Sequence, residues 1–296
     1  MWKSSCQTSA GVPLRKLLLR ILRVSAISYV ALLLILRLRE SDLLFFPNVP
    51  DRLDGNWHPA GLPVQDVWIT GYDGTKLHAW WIRNEKARFT FLAFHGNAGN
   101  IAGRSYVYKF LGDIPANVLA VEYRGYGKSE GKPGERDFYR DARSAYQFLV
   151  EKQGVAPEAI ISFGQSLGTA TATNLASEAK VGGLILEAPF PSIAAMAQRQ
   201  FPYLPGVGLL VYGQMDTVNK IRKVKAPVLV VQCTSDPVIP PELGREVYAA
   251  ATSSKTLLQF EMSCHEESSL LAPKKYNAAL QQFLGQISSA AQTRSK

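Results

Sequence analysis

Cysteine and histidine are scarce in this chain, which has three cysteines and four histidines among its 296 residues. The cysteines, Cys6, Cys233 and Cys264, have neither the paired spacing of a zinc site nor the even number of a disulfide framework. A fold built around a structural metal or several disulfides is therefore excluded, and no metal or organic cofactor is implied. Four histidines also leave few candidates for acid–base chemistry.

The chain also lacks the broad excess of basic residues that is typical of nucleic-acid-binding proteins. Its formal net charge is +9, but residues 1–42 contain seven Lys or Arg and two Asp or Glu, a balance of +5 that leaves +4 for all later residues. Basic residues gathered beside an apolar segment are typical of a membrane flank. We therefore predict no nucleic-acid partner.

An uncharged apolar run of thirteen residues, 24–36, is the strongest signal near the N-terminus. A spanning helix needs roughly twenty residues, a length that 17–36 reaches if Arg20 and Arg23 extend to the interface. The pattern favours a retained single-pass anchor, with a membrane-surface helix and a cleaved signal peptide as alternatives. Because basic residues outnumber acidic ones mainly before the run, we expect the N-terminus in the cytoplasm and the following domain on the non-cytoplasmic side.

Beyond residue 42, apolar runs alternate with helix-like stretches, which indicates an α/β fold. An Asp73-Gly74 turn between 64–69 and 77–82 predicts an antiparallel hairpin. The later runs are nearly continuous in Val, Ile and Leu, as in parallel strands covered on both faces. We expect these strands near 89–94, 117–123, 159–163, 183–187, 227–232 and 256–262. We expect helices near 101–112, 135–153, 167–178, 241–251 and 273–285.

A Gly-x-Ser-x-Gly pentapeptide, 164–168, follows the apolar run 159–163 and precedes a helix-like stretch. Glycines on both sides of Ser166 allow a sharp strand-to-helix turn that exposes the hydroxyl at its apex. The pentapeptide also occurs by chance, and its position between a strand and a helix is what favours a nucleophile.

A serine hydroxyl needs a base to take its proton and a third group to orient that base. We expect His58 and His78 to face solvent, and His95 belongs to a separate motif, 95–99. His265 remains, just after the strand-like run 256–262. Asp236 follows the strand near 227–232 and precedes a proline. The order Ser166, Asp236, His265 at the ends of successive strands favours a catalytic triad over the alternatives of a turn aspartate and a surface histidine.

The segment His95-Gly96-Asn97-Ala98-Gly99, after another strand, predicts an oxyanion hole. Its glycines allow the backbone close to a substrate, and we expect the backbone N–H groups of Asn97 and Leu167 to bind the oxyanion. The alternatives are an ordinary Gly/Asn turn and a phosphate-binding loop, and the latter lacks the lysine and the spacing.

With these motifs the sequence resembles members of the α/β-hydrolase superfamily, and more closely the single-domain members carried on an N-terminal membrane helix. The resemblance extends from about residue 43 to the C-terminal helix and includes the stretches 44–47, 95–99, 123–131, 164–168, 187–190 and the Asp236 turn. Two departures are Thr169, where a smaller residue usually follows the pentapeptide, and 263–267, which lacks the expected glycine-rich approach to His265.

The resemblance implies a mostly parallel sheet with an antiparallel N-terminal hairpin, helices on both faces and a short cap after the sixth strand. We accordingly expect a flank and anchor over 1–42, a catalytic domain over 43–287 with its cap at about 191–222, and a frayed polar tail over 288–296. The cap residues, Leu209 and Leu210 among them, fit either a lining for an apolar acyl group or simple packing on the sheet.

The implied activity is hydrolysis of carboxylic esters or thioesters with apolar acyl groups, through a Ser-His-Asp mechanism. The expected partners are a small-molecule or lipid-like acyl ester and the membrane. The alternatives are a serine peptidase on the same triad and an idle membrane scaffold. Cys233 and Cys264 fall at the ends of neighbouring strands, and we favour two buried free thiols over a bridge between them.

Overall fold

The computed structural model describes residues 13–204, 206–211 and 214–294, so Cys6 lies outside the described residues. The chain divides into two compact units, one ending at Glu40 and the other beginning at Ser41. The first contains helix α1, Leu14–Leu38, none of whose residues is buried. In the described part of the chain, α1 is the one helix long and apolar enough to cross a membrane, with a mean hydropathy of 2.0 over an 18-residue stretch.

The second unit is built around one eight-stranded sheet. The strands are β1 (Val64–Thr70), β2 (Lys76–Ile82), β3 (Phe89–Phe94), β4 (Ala116–Val121), β5 (Ile160–Gln165), β6 (Gly183–Glu187), β7 (Val228–Cys233) and β8 (Lys255–Phe260). Their order across the sheet is β1-β2-β4-β3-β5-β6-β7-β8. β1 pairs antiparallel with β2, and β2 antiparallel with β4, whereas all later pairs are parallel. The expected hairpin and parallel sheet are confirmed.

Helices connect the parallel strands and cover both faces of the sheet, since the buried apolar residues fall into two clusters that share its strands. A short helix α2, Glu40–Leu44, precedes the sheet. The others are α3 (Ser105–Gly112), α4 (Glu135–Gln147), α5 (Leu167–Glu178), α6 (Ile193–Gln200), α7 (Val207–Leu210), α8 (Thr217–Ile221), α9 (Pro241–Ala250), α10 (Ser268–Leu271) and α11 (Pro273–Arg294). The last of these reaches Arg294, so most of the stretch expected to fray is helical.

The segment interpreted as a cap contains the short helices α6, α7 and α8. Backbone hydrogen bonds close its base, from Ile193 to the Gln214 carbonyl at 2.9 Å and from Val218 to the Pro191 carbonyl at 3.1 Å. The side chains of Leu209 and Leu210 lie outside the described residues. Whether they line a substrate site therefore stays a prediction.

The expectation that His78 faces solvent was wrong, whereas His58 is exposed as expected. His78 is fully buried, with the Trp57 and Trp68 rings 5.6 and 5.2 Å away and Asp66 Oδ1 2.6 Å from Nε2. The alternation of polar and apolar residues along β2 predicts one solvent-exposed face, but aromatic side chains cover that face. Burial lowers the pKa of His78 despite the adjacent carboxylate.

Candidate active site

The pentapeptide forms a tight turn from β5 into α5 with Ser166 at its apex. Ser166 has φ 49° and ψ −116°, a conformation that L-residues rarely adopt, and its N–H donates to the Glu187 carbonyl at 2.9 Å. The flanking glycines are required by close packing: a Cβ at Gly164 would lie 2.4 Å from the Gly168 oxygen, and one at Gly168 would lie 2.1 Å from the Phe94 oxygen. The turn therefore holds the serine in one strained geometry.

Thr169, which departs from the usual family pattern, fits the turn through its hydroxyl. The side chain is fully buried, and Oγ1 donates to the Ser166 carbonyl at 2.6 Å. The same carbonyl accepts the Thr169 N–H at 3.0 Å. A hydroxyl in place of a smaller side chain thus adds a hydrogen bond to the apex.

Ser166, His265 and Asp236 come together at the carboxyl ends of β5, β8 and β7. His265 Nε2 lies 2.9 Å from Ser166 Oγ, and its Nδ1 lies 2.8 Å from Asp236 Oδ2. The other carboxylate oxygen, Asp236 Oδ1, accepts the N–H groups of Val238 at 2.7 Å and Ile239 at 2.9 Å. Every Asp236 oxygen therefore has a partner, and the carboxylate can hold the imidazole with Nε2 directed at the hydroxyl.

The charges around His265 favour its protonated form. Burial alone would lower the pKa of His265, but the hydrogen bond to Asp236 and the neighbouring Glu266 and Glu267 raise it above its ordinary value. A base of this kind takes a proton more readily once the serine begins to attack. The arrangement can therefore transfer a proton from Ser166 Oγ to the imidazole and back to a leaving group.

The segment 95–99 forms a loop after β3, beside the serine turn. His95 is fully buried, with Nε2 2.9 Å from Glu122 Oε1 and Nδ1 2.7 Å from the Gly96 carbonyl. The second Glu122 oxygen accepts the Ile101 N–H at 3.1 Å. Both ends of the loop are thereby attached to one buried carboxyl at the end of β4.

Asn97 uses its side chain to hold the chain that enters this unit. Its Nδ2 donates to the Leu44 carbonyl at 2.5 Å, and its Oδ1 accepts the Phe46 N–H at 3.3 Å and the Tyr126 hydroxyl at 3.0 Å. Its side chain therefore holds the loop in place, and the binding of a substrate oxygen by its backbone N–H stays a prediction. Leu167 is the first residue of α5, so its N–H is among those that a helix leaves without an intrahelical partner.

Sequence reasoning missed a buried carboxyl, Glu187, that connects the serine turn to the histidine loop. Glu187 Oε2 accepts the Gln165 amide at 2.9 Å, and Oε1 is bound to the Ser268 hydroxyl. The same amide lies 3.3 Å from the Glu266 carbonyl. Burial raises the pKa of Glu187 to about 8. The available signal was a glutamate closing an otherwise apolar strand, which requires internal partners.

An ion pair between Arg104 and Glu266 joins the oxyanion loop region to the histidine loop, and it was also missed. Arg104 Nη2 donates to Glu266 Oε2 at 3.1 Å, and both side chains are about 12% exposed. The other Glu266 oxygen packs on Gly96, in the space that a Cβ would occupy. Gly96 is thus required because the Glu266 carboxylate approaches it closely. The Arg104–Glu266 ion pair also holds the histidine loop, 263–267, which contains no glycine.

A disulfide connects Cys233 to Cys264, with their Cα atoms 5.6 Å apart. Two free thiols were the favoured expectation, so that interpretation was wrong. The ends of β7 and β8 are adjacent in the sheet, with Cys233 paired to Phe260, which brings the cysteines within bonding reach. The bridge joins the Asp236 loop to the His265 loop.

Comparison with known proteins reveals relatives over most of the chain. An α/β-hydrolase domain-containing protein of Arabidopsis thaliana, WAV2, is 32% identical over 81% of this chain and 82% of its own length. The α/β-hydrolase domain-containing protein 17C of Mus musculus is 35% identical over 80% of this chain and 73% of its own. This chain belongs to the α/β-hydrolase superfamily. An uncharacterized protein of Mycobacterium tuberculosis is 31% identical to this α/β-hydrolase, over 83% of the chain and 87% of the relative.

Solved α/β-hydrolase structures share the fold. The esterase Pf2001 of Pyrococcus furiosus superimposes with a TM-score of 0.66 at 23% identity, over 79% of this chain and 97% of that one. An α/β-hydrolase of Vibrio vulnificus gives 0.62 at 24% identity, over 74% and 80%. A family model described as serine aminopeptidase, S33, matches residues 85–207, a range that contains Ser166 and Asn97. The α/β-hydrolase fold expected from the sequence is confirmed.

Proposed function

We propose that this α/β-hydrolase is a membrane-anchored serine hydrolase that cleaves carboxylic esters or thioesters with apolar acyl groups. The observation that supports the proposal most directly is the hydrogen-bonded series Ser166–His265–Asp236, at 2.9 and 2.8 Å. Three residues far apart in sequence meet in the geometry that nucleophilic catalysis needs.

In the proposed reaction, Ser166 Oγ attacks the acyl carbonyl carbon while His265 Nε2 takes the hydroxyl proton. The resulting oxyanion accepts the backbone N–H groups of Asn97 and Leu167. His265 then donates its proton to the departing alcohol or thiol, which leaves an acyl group on Ser166. A water molecule, deprotonated by the same imidazole, releases the acid and restores the serine. Asp236 holds the imidazole and stabilises its charged form.

The anchor in this proposal is α1, which has 25 residues and is about 37 Å long at 1.5 Å per residue. That length is sufficient for a hydrocarbon core of about 30 Å. The Cys233–Cys264 disulfide supports the expected side of the membrane, because such bridges persist in oxidising compartments. We therefore propose that the catalytic unit lies on the non-cytoplasmic side.

Amide hydrolysis is the second candidate, since the matching family model is described as a serine aminopeptidase. An amide nitrogen is a poorer leaving group than an alkoxide or a thiolate, and the same His265 proton would have to be transferred to it. We favour esters and thioesters because of this difference between the leaving groups.

The test is covalent labelling of the full-length chain with a tagged fluorophosphonate, with Ser166→Ala as the matched control. We expect labelling of the wild-type chain only, and loss of labelling on His265→Ala. Turnover of matched ester, thioester and aminoacyl-amide substrates then ranks the two candidates. Absence of labelling in a folded wild-type chain would overturn the mechanism, and faster amide than ester turnover would favour the peptidase.

A further inference from the structure

The exposed apolar side chains of the second unit are concentrated in a few stretches of the chain. Of the large apolar residues that the structure describes as exposed from Ser41 onwards, all but Trp68 and Tyr72 lie within 43–53, within 201–203, at Val238 or within 270–271. We name the exposed apolar side chains of these four stretches the apolar rim. The two exceptions lie at the β1–β2 hairpin.

Trp68 and Tyr72 have partners within the unit, which sets them apart from the apolar rim. The Trp68 ring lies 5.2 Å from the His78 ring. The guanidinium groups of Arg124 and Arg140 lie 5.1 and 4.5 Å from the centre of the Tyr72 ring. These two side chains therefore need no external ligand to explain their exposure.

The four stretches lie at the sheet edge that carries Ser166. Residues 201–203, 238 and 270–271 follow β6, β7 and β8 respectively, and the carboxyl ends of parallel strands share one edge. The stretch 43–53 is fixed to the loop after β3, since Phe46 bridges Ala98 and the Asn100 amide donates to the Arg52 carbonyl at 3.0 Å. Each stretch is therefore connected to a strand end or loop at the sheet edge that carries the candidate active site.

The exposure within the rim is large for side chains of this type. Tyr203 is 72% exposed, Leu270 61%, Leu271 54% and Val238 53%. Isolated exposed apolar residues are ordinary, but several connected to one edge of the sheet mark a surface that contacts a partner. Val238 is also two residues from Asp236 and donates its N–H to that carboxylate, so the surface is continuous with the triad.

We propose that the apolar rim docks on a lipid bilayer, so that the active site opens directly onto the membrane surface. This inference rests on the proposed membrane anchor. Only residues 39–43 separate the end of α1 from Leu44, whose carbonyl accepts the Asn97 amide at the rim. Most of these residues belong to α2, and even fully extended they would span at most about 18 Å. A connection this short keeps the rim edge near the bilayer that would hold the proposed anchor, which favours the lipid surface as the occupant.

Docking in this way explains how an apolar acyl ester would reach Ser166. Such a substrate partitions into the bilayer, and a rim that dips into the interface lets it pass to the serine without crossing water. Hydrolysis of a bilayer-dissolved ester should then depend on the rim, whereas hydrolysis of a short, water-soluble ester should not.

Spin-label accessibility on the full-length chain tests the docking. The chain carries Cys6→Ser, keeps the Cys233–Cys264 bridge and receives one nitroxide at a time through Tyr203→Cys, Leu271→Cys or Gln153→Cys. Gln153 is exposed and precedes β5, so it reports on the opposite edge of the sheet. Each variant is placed, one copy per disc, in nanodiscs of four parts phosphatidylcholine to one part phosphatidylglycerol.

For each label, the relaxation caused by oxygen is divided by that caused by a water-soluble nickel chelate. We expect this ratio to be at least threefold higher at Tyr203→Cys and Leu271→Cys than at Gln153→Cys. Equal ratios at all three positions would overturn the docking. Rim labels screened from both reagents would also overturn it, since a second protein surface or a closed cap would then cover the rim. A label at Leu32→Cys in α1 reports on the anchor separately, and fluorophosphonate labelling reports on the triad.

A second measurement uses the double substitution Leu270→Ser and Leu271→Ser. We expect at least fivefold slower hydrolysis of a long-chain ester dissolved in the nanodisc, with less than twofold change for a short water-soluble ester. An equal fall for both substrates would indicate a disturbed histidine loop and contradict the docking. No fall for either would contradict it as well. Failure of the wild-type chain on both esters would refute the proposed function and leave the accessibility result standing.

Discussion

Removing the Cys233–Cys264 bridge should destabilise the catalytic unit by several kcal/mol. The bridge closes a loop with a sequence separation of 31 residues. The loss of loop-closure entropy in the unfolded chain then corresponds to about 3.7 kcal/mol at 25 °C. For a unit that runs from Ser41 to Lys296, a change of this size lowers Tm by about 7 to 15 °C.

The bridge should also matter for catalysis below Tm. Cys233 precedes Asp236 by three residues, and Cys264 is adjacent to His265, so the bridge limits how far the two loops can separate. Loss of the bridge lets the Nδ1–Oδ2 distance of 2.8 Å fluctuate more widely. We expect fluorophosphonate labelling at 25 °C to slow by about three- to tenfold, because a lost hydrogen bond of about 1 kcal/mol corresponds to roughly that factor.

The assay compares the double variant Cys233→Ala/Cys264→Ala with Cys6→Ala, which removes a cysteine without removing the bridge. Tryptophan fluorescence during a thermal scan of detergent-solubilised full-length chain gives Tm, and reductant added to the wild type should reproduce the double variant. A double variant that unfolds at the same temperature as Cys6→Ala would refute the entropic reasoning. A lower Tm with unchanged labelling rate would refute only the link to catalysis.

Three further predictions concern the carboxylates and the serine turn. Asp236→Asn should lower kcat by about 10⁴-fold with the fold retained. Any residual activity should persist to lower pH, because the carboxylate that raises the pKa of His265 is gone, and a pH–rate profile checks both results. Gly168→Ala should lower the free energy of unfolding by about 3 kcal/mol in a denaturation assay, because its Cβ would lie 2.1 Å from the Phe94 oxygen. The control Gly285→Ala, where a Cβ meets open space in a helix, should be neutral or stabilising in that assay. Glu187→Gln should flatten the pH dependence of stability. In the folded wild type this carboxyl has a pKa of about 8 against an ordinary 4.5, so the unfolded chain loses the proton at lower pH and wild-type stability falls by roughly 5 kcal/mol between pH 4.5 and 8. Equal slopes of Tm against pH for the two chains would contradict this.

The parts of the fold that follow from local patterning were predictable from the sequence. Strand positions came from nearly continuous apolar runs, and the hairpin from Asp73-Gly74. Ser166, Asp236 and His265 could be selected because a parallel sheet brings strand ends to one edge, and chain order then restricts the choice. None of this reasoning required a contact between side chains.

The errors concern residues whose environment is set by distant segments. His78 was expected to face solvent because alternation along β2 says nothing about Trp57, which approaches from outside the sheet. The disulfide depends on β7 and β8 being neighbours in a particular register, which patterning does not determine. Arg104 and Glu266 are 162 residues apart, so no spacing rule connects them.

The attachment of the entering chain to the loop 95–99 restricts where the proposed membrane anchor could be cut from the rest of the chain. Leu44 and Phe46 supply hydrogen-bond partners to Asn97, so they act as part of the catalytic unit although they precede its first strand. A processing protease that cut after Phe46 would release a domain whose Asn97 side chain had lost its two backbone partners. A cut within residues 39–43 would remove the proposed anchor and keep these contacts. We therefore expect release with retained activity only from a cut in this five-residue segment.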